Sequence, residues 1–320
     1  MSLPSVLQRV PFPVIASPMF IISTPKLVIA QCTSGVVGSM PALNARPAAQ
    51  LDDWLAEITE SLAAWDAAHP DQPAAPFAIN QIVHKSNDRL EHDMALCEKY
   101  KVPLVITSLG AREEVNQGVH NWGGVVLHDV IHNRFAHKAV EKGADGLIAV
   151  CAGAGGHAGT TSPFALVQEI REWFDGPLAL SGSIATGRAI LAAQVMGADF
   201  AYMGSAFIAT DEARAVDAYK QMIVDSSSAD IVYASKFTGV HGNYLRGSIV
   251  NAGLDPDHLD EGDPSEMSFG SAEPKLAKAW KDIWGSGQGI GAIKAVQPTA
   301  ALVARLKTEY AQARSALCRP

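Results

Sequence analysis

Eight short apolar runs, rich in valine, isoleucine and leucine, recur along the first two thirds of this chain, each followed by a segment of helical length. They fall at residues 13–19, 35–40, 77–82, 103–108, 123–129, 146–152, 177–183 and 200–205. Runs that stay apolar instead of alternating predict strands buried on both faces, which is what a parallel sheet with helical crossovers requires. The intervening segments predict helices, among them 25–33, 52–68, 88–100, 133–142, 162–173 and 186–196. Thr24 or Ser23 is placed to cap the first of these, with Pro25 in its first turn. Trp54, Leu55, Ile58, Leu62 and Trp65 recur at helical spacing and read as a stripe packed on a core. Eight such units predict an α/β fold, a (β/α)8 TIM barrel in place of an open sheet.

The rhythm breaks near Asp211. A helix is predicted over 213–224, a turn at Ser226-Ser227-Ser228, and a final amphipathic helix over 299–317. Between them lies an acidic, turn-rich stretch, 253–274, carrying Asp255, Asp257, Asp260, Glu261, Asp263 and Glu266. It reads as a solvated loop; its carboxylates lack the regular spacing of a metal site, and no metal is expected. Beyond it, Trp284-Gly285-Ser286-Gly287-Gln288-Gly289-Ile290-Gly291 is a second glycine-rich piece. The organisation expected is therefore a barrel over 1–210, a mostly helical lid and substrate region over 211–295, and a C-terminal helix over 296–320 packing on the barrel.

With 320 residues, 48% of them hydrophobic, the chain can bury one large core. A net charge of −8 argues against a nucleic-acid groove or an anionic membrane surface. No run approaches the roughly 18 apolar residues of a membrane span. The start, Met1-Ser2-Leu3-Pro4, lacks the basic and apolar regions of a secretory signal, and a cytoplasmic protein is expected. Cys32, Cys97, Cys151 and Cys318 show neither CxxC nor zinc spacing and read as reduced thiols. The partner expected is a small-molecule substrate, not nucleic acid or membrane; a homodimer stays open.

The candidate site begins at Gly153-Ala154-Gly155-Gly156-His157-Ala158-Gly159, which follows the sixth apolar run. Glycines permit close backbone approach and positive φ, so such a loop can wrap a flat or charged ligand. A histidine framed by them, just beyond the C-terminal end of a strand, lies where α/β active sites are built. Ser181-Gly182-Ser183 and Met203-Gly204-Ser205 end the seventh and eighth runs. Loops at those positions of a parallel barrel commonly cradle a phosphate, free or as the tail of a flavin mononucleotide. Ala16-Ser17-Pro18-Met19, Asn80 and His128 end other strands on the same rim. Asn80 reads equally as a ligand contact or a loop cap, and His128 equally as a contact or a structural partner of Asp129.

Those motifs carry a resemblance. Gly143-Ala144-Asp145, the glycine-histidine loop, Leu180-Ser181-Gly182-Ser183-Ile184, Gly187, Gly197-Ala198-Asp199 and Met203-Gly204-Ser205-Ala206-Phe207 together resemble the nitronate monooxygenases, formerly called 2-nitropropane dioxygenases. The resemblance runs from Pro13 to about Gly291. It implies an FMN-binding barrel in which His157 matches the catalytic histidine. By the same matching, Gly182, Ser183, Gly204 and Ser205 correspond to the phosphate loops. Ala16 to Met19, Asn80, His128 and the Gly155-Gly156 backbone would hold the rest of the flavin, and Gln288 would lie near it. The implied reaction is oxidation of alkyl nitronates or nitroalkanes by O2 to carbonyl compounds and nitrite, under a lid at about 250–275. Many members have Gly-Gly-Met where this chain has Ser17-Pro18-Met19, and some have a lysine near the position of Asp129. Flavin-dependent quinone and enoyl-thioester reductases share a similar loop, so an NAD(P)H-dependent FMN reductase is the alternative. A flavin-free sugar-phosphate barrel and a non-catalytic binding barrel are more distant ones.

Overall fold

In the computed structural model the residues described are 3–263 and 282–317. Glu266 and the end of the acidic stretch, together with Trp280 and Cys318, lie outside them. All eight apolar runs are strands of one parallel sheet: β1 Val14–Ala16, β2 Gly38–Pro41, β3 Phe77–Ile82, β4 Leu104–Ser108, β5 Val125–Val130, β6 Gly146–Val150, β8 Leu178–Ser181 and β9 Phe200–Met203. Their order is β1-β9-β8-β6-β5-β4-β3-β2. The ring closes where Ile15 bridges Val37: Ala16 N–H donates to Val37 O (2.8 Å) and Val37 N–H to Val14 O (3.0 Å).

Alternate residues divide between the two faces of each strand, as the pleat demands. Ile15, Val37, Ala78, Leu104, Ile106, Leu127, Ile148, Ala179 and Phe200 fill the barrel interior. Met40, Ile79, Val105, Val126, Leu147, Ala149, Leu178 and Leu180 pack outward among the helices. Leu7 of the short N-terminal helix α1 (Ser5–Gln8) joins the interior cluster, with Leu3, Val6 and Val10 against it. Because both faces are covered, no alternating polar pattern is needed, and the strands read as plain apolar runs.

The first helix in sequence that flanks the barrel, α2 (Pro25–Thr33), starts with Pro25 after an extended Thr24, although the Thr24 side chain makes no cap bond. In α3 (Gln50–Ala68) the stripe Trp54, Leu55, Ile58 and Leu62 is buried, while Trp65 is only partly so. The remaining crossovers are α4 (Leu90–Lys99), α5 (Glu113–Asn121), α6 (Asn133–Glu141), α7 (Pro163–Arg171) and α8 (Gly187–Val195). Thr186 caps α8 by accepting from Ala189 N–H.

Beyond β9 the structure departs from the mostly helical expectation. Short helices α9 (Ser205–Ile208), α10 (Asp217–Asp225) and α11 (Arg246–Asn251) are present, but so is an antiparallel hairpin of β10 (Ile231–Ala234) and β11 (Gly242–Leu245). A two-residue strand, β7 (Gly156–His157), adds to its edge. Each strand of the hairpin is only four residues long, too short for a period to emerge from sequence. The C-terminal helix, Thr299–Leu317, packs on α8 and α2.

Candidate active site

The C-terminal ends of the barrel strands open into a cavity of about 430 Å3. That is the end of a parallel barrel where variable loops assemble binding sites on a fixed frame.

The glycine-histidine loop crosses one side of it. Its histidine is pinned from the hairpin: Gly156 and His157 pair with Asn243 and Gly242, and His157 Nε2 lies 2.8 Å from Thr238 Oγ1. Thr238 also donates to Val240 O (3.0 Å). Asn243 Nδ2 donates to Ala154 O (2.6 Å) and Tyr233 Oη to Ala158 O (2.9 Å). Withdrawal from water lowers the His157 pKa from 6.5 to about 4, so the imidazole is neutral at neutral pH.

The glycines serve a purpose that composition alone does not reveal. A Cβ on Gly155 would lie 2.8 Å from Gly287 N, and one on Gly287 2.6 Å from Gly153 O. One on Gly289 would lie 2.7 Å from Ser183 O. Backbone therefore rests on backbone, and the second glycine-rich piece is the clamp for the first. Gln288 N–H and Ser183 N–H both donate to Gly153 O (2.9 and 3.3 Å), and Ser205 Oγ accepts from Gly287 N–H (2.9 Å).

Ser183 and Gly204 lie at the ends of the adjacent strands β8 and β9 and line the cavity with Gly182 and Ser205. Gly182 has φ +141°, and a Cβ there would sit 2.8 Å from Ala152 O; Ser183 holds a left-handed φ of 56°. A Cβ on Gly204 would meet nothing nearer than Ser17 Cβ at 3.5 Å. Among the described residues the N–H groups of Gly204 and Ser205 carry no turn or loop hydrogen bond, whereas the Ser181–Tyr202 register engages Gly182 N–H in the ladder to β9. Free donors beside a glycine whose side-chain space is empty fit an anion held against backbone.

A polar row faces the cavity from inside the barrel. Asn80 Nδ2 donates to Ser108 Oγ (2.8 Å) and to Ile106 O (3.1 Å), and Ser108 Oγ donates to Asp129 Oδ2 (2.5 Å). Burial raises the Asp129 carboxyl to about 6, against the pull of the Ser108 hydroxyl. Tyr202, bonded to Ser17, is pushed well above the usual phenol value by burial and by the Asp129 charge. His128 belongs to the outward register of Val126 and Val130. Its Nδ1 lies 2.6 Å from Thr107 Oγ1, so its partner is Thr107 and not Asp129. Desolvation lowers it from 6.5 to about 4.

Of the residues singled out in the sequence, Ser17, Pro18, Met19, Asn80, His128, Gly155, Gly156, His157, Ser181, Gly182, Ser183, Gly204 and Ser205 line this one cavity. Ala16 and Met203 do not. Both are buried, Ala16 O accepting from Ser39 Oγ (2.5 Å) and Met203 O from Ser17 N–H (2.8 Å). Gln288 is exposed and acts through its backbone. The residues missed are Thr238, Tyr202, Ser108 and Asn44. Asn44 bonds Ile21 N–H (2.8 Å), Met19 O (2.9 Å) and Ser23 O (2.8 Å), and so fixes the loop after β1, where Ile21 is held at φ 68°. Only Tyr202 carried a sequence signal, its place two residues after Phe200 on a barrel strand; the other three act across folds of the chain.

Fold and cavity together define a barrel enzyme with its binding site at the C-terminal mouth. The chain belongs to the nitronate monooxygenase family: the sequence model described as "Nitronate monooxygenase" matches residues 3–308. It is 25% identical to a nitronate monooxygenase of Paraburkholderia phytofirmans over 94% of this chain and 92% of that one. It is 28% identical to a putative monooxygenase of Mycobacterium tuberculosis over 55% of this chain, a match that spans about half (48%) of that relative. Its fold resembles nitroalkane oxidase from Streptomyces ansochromogenes, with a TM-score of 0.79 at 23% identity, covering 98% of this chain and 100% of the other. The protein is thus an oxidoreductase of this family.

Proposed function

We propose that the protein is an FMN-dependent nitronate monooxygenase, oxidising alkyl nitronates with O2 to carbonyl compounds and nitrite. The observation that carries this reading is a neutral histidine in the same cavity as a glycine cradle able to take one phosphate. The family's flavoenzymes support the cofactor class, and the absence of a dinucleotide-binding βαβ unit in the sequence favours FMN over FAD. Gly182, Ser183, Gly204 and Ser205 would take the phosphate, while Ser17, Pro18, Met19, Asn80 and the Gly155-Gly156 backbone would flank the ring system. Bound FMN would supply electron acceptance from the substrate.

The Nε2–H of the neutral His157, which donates to Thr238 in this structure, is the donor that would turn to a nitro oxygen of the bound substrate. A base whose pKa is about 4 is a poor acceptor for a carbon-bound proton at neutral pH, which favours the preformed nitronate over the neutral nitroalkane. Residues 211–263 and 282–295 would act as the lid and substrate region, and the C-terminal helix would support the barrel.

Two measurements test the reading. Chromatography of the cofactor released on denaturation should give FMN; FAD would overturn the cradle argument. Anaerobic mixing with ethyl nitronate should bleach the flavin. Bleaching by NADH or NADPH and not by the nitronate would instead make the protein a reductase of quinones or enoyl thioesters.

A further inference from the structure

The cavity has two unlike sides. In the strand order, β3 and β4 stand across the ring from β8 and β9. The side at β8 and β9 presents Ser181, Gly182, Ser183, Gly204 and Ser205, with Ile184 and Ile208 beside them. The other side carries the polar row of Asn80, Ser108 and Asp129 and, next to it, four apolar residues: Ile82 ends β3, Leu109 follows β4, Ile131 follows β5, and Phe135 projects from α6. Ile131 and Phe135 are 40% and 43% exposed, an unusual arrangement for large apolar side chains gathered at the mouth of a cavity. Leu109 is held at φ 62°, a conformation that costs energy in a residue with a side chain and that recurs where ligands are gripped.

One cation stands beyond this surface. Lys138 follows Phe135 by three positions on α6, so the two share a helix face. Lys138 is the one Lys or Arg among the residues that line the cavity, and it makes no ion pair among the described residues. The remaining charged lining residue, Asp129, belongs to the polar row, so Lys138 is the one charged side chain set beside the apolar residues.

We propose that the substrate is amphipathic: an extended alkyl, alkenyl or aromatic portion lies on Ile82, Leu109, Ile131 and Phe135 and ends in a carboxylate that pairs with Lys138. This deepens the function proposed above and rests on it only for which end of the molecule reacts. The apolar portion supplies affinity in proportion to the area it covers, and Lys138 selects the anionic terminus. A short nitronate would leave this side of the cavity unused.

Calorimetric titration of the flavin-loaded protein under nitrogen, with unreactive probes, tests this without relying on turnover. Hexanoate, octanoate and decanoate should bind with affinity rising about three- to fourfold per added methylene. Decanoate should bind roughly two- to fivefold more tightly than 1-decanol. Lys138→Met should erase that preference while leaving decanol binding unchanged, and Phe135→Asp should weaken both ligands. Affinity that does not change with chain length, or a carboxylate preference that survives Lys138→Met, overturns the proposal. Chain-length- and Lys138-dependent binding upholds it even if ethyl nitronate is never oxidised, in which case it is the reaction assignment that fails.

Discussion

At His157 the chemistry is set by a residue 81 positions away in the chain. The sequence shows a histidine among glycines, and the structure adds that Thr238 holds its Nε2 and that burial keeps it neutral. Replacing it with Asn should lower kcat/KM for ethyl nitronate about 10- to 100-fold, the worth of one hydrogen bond to a charged group. FMN retention should be nearly intact. A loss confined to neutral nitroethane would instead make His157 the general base. The glycine motif was legible as a site, but half of its reason was not, since Gly155 and Gly287 are needed for loop-on-loop contact as well as for any ligand. Gly182 and Gly204 separate these two demands. Gly182→Ala forces a side chain into a positive φ against Ala152 O and should lower both the melting temperature, by a few degrees, and flavin content. Gly204→Ala enters open cavity and should lower flavin content alone. Thermal scans and flavin-to-protein absorbance ratios check the pair, and full occupancy in Gly204→Ala would remove the cradle from β9.

The element that sequence reading resolved least is the segment from β10 to Gly262. Its strands are too short to show a period, and the acidic stretch behind them reads as solvated. Among the described residues those carboxylates are engaged. Asp257 takes two bonds from Arg246 (2.8 and 2.7 Å), Asp260 meets Lys236 (2.9 Å), and Glu261 is bonded to Ser235 and lies 3.5 Å from His241. Gly262 N–H donates to Ser235 Oγ (3.0 Å). The contacts of Ser235, Lys236 and His241 strap the 235–241 loop, which carries Thr238 to His157 and Val240 to the cavity. Exposed pairs of this kind are each weak and screened by salt, so the strap should be the first part of the site to open. The double substitution Lys236→Ala with Glu261→Ala should speed amide hydrogen exchange at 237–240 and leave the barrel strands as slow as before. Unchanged exchange in that loop would mean that Thr238 and the hairpin hold it without help. By contrast the barrel strands were legible because each is buried on both faces, a condition that leaves its mark in consecutive residues.

Across the whole molecule, sequence predicts the barrel and a terminal helix but not which seam that helix covers. The structure puts Thr299–Leu317 over the closure between the three-residue β1 and its neighbours: Glu309 accepts from Gly187 N–H (2.7 Å), Lys307 donates to Ser34 O (2.8 Å), and Tyr310 meets Phe12 edge-on. A Cβ on Gly187 would lie 2.2 Å from Leu306 O, so the helix needs glycine beneath it. The global stability of this assembly should carry the signature of its buried site. His128 and His157 are each lowered from 6.5 to about 4, so between those values the unfolded chain binds two protons that the native protein refuses. Acidification through that window therefore favours unfolding. Asp129 has the opposite sign: raised from 3.8 to about 6, it binds a proton in the native state that the unfolded chain gives up, so its contribution falls as pH rises from about 3.8 to 6. Two groups outweigh one, and these three together should make the protein less stable as pH falls from about 6.5 towards 4. Denaturation midpoints of the same flavin-loaded preparation at pH 7.5, 6.0 and 5.0 should decline in that order. His128→Gln should make the decline shallower, because one of the two favourable terms is gone. Asp129→Asn should make it steeper, because the opposing term is gone, and a flatter profile in that variant would show that the Asp129 carboxyl is ionised in the native protein throughout the window.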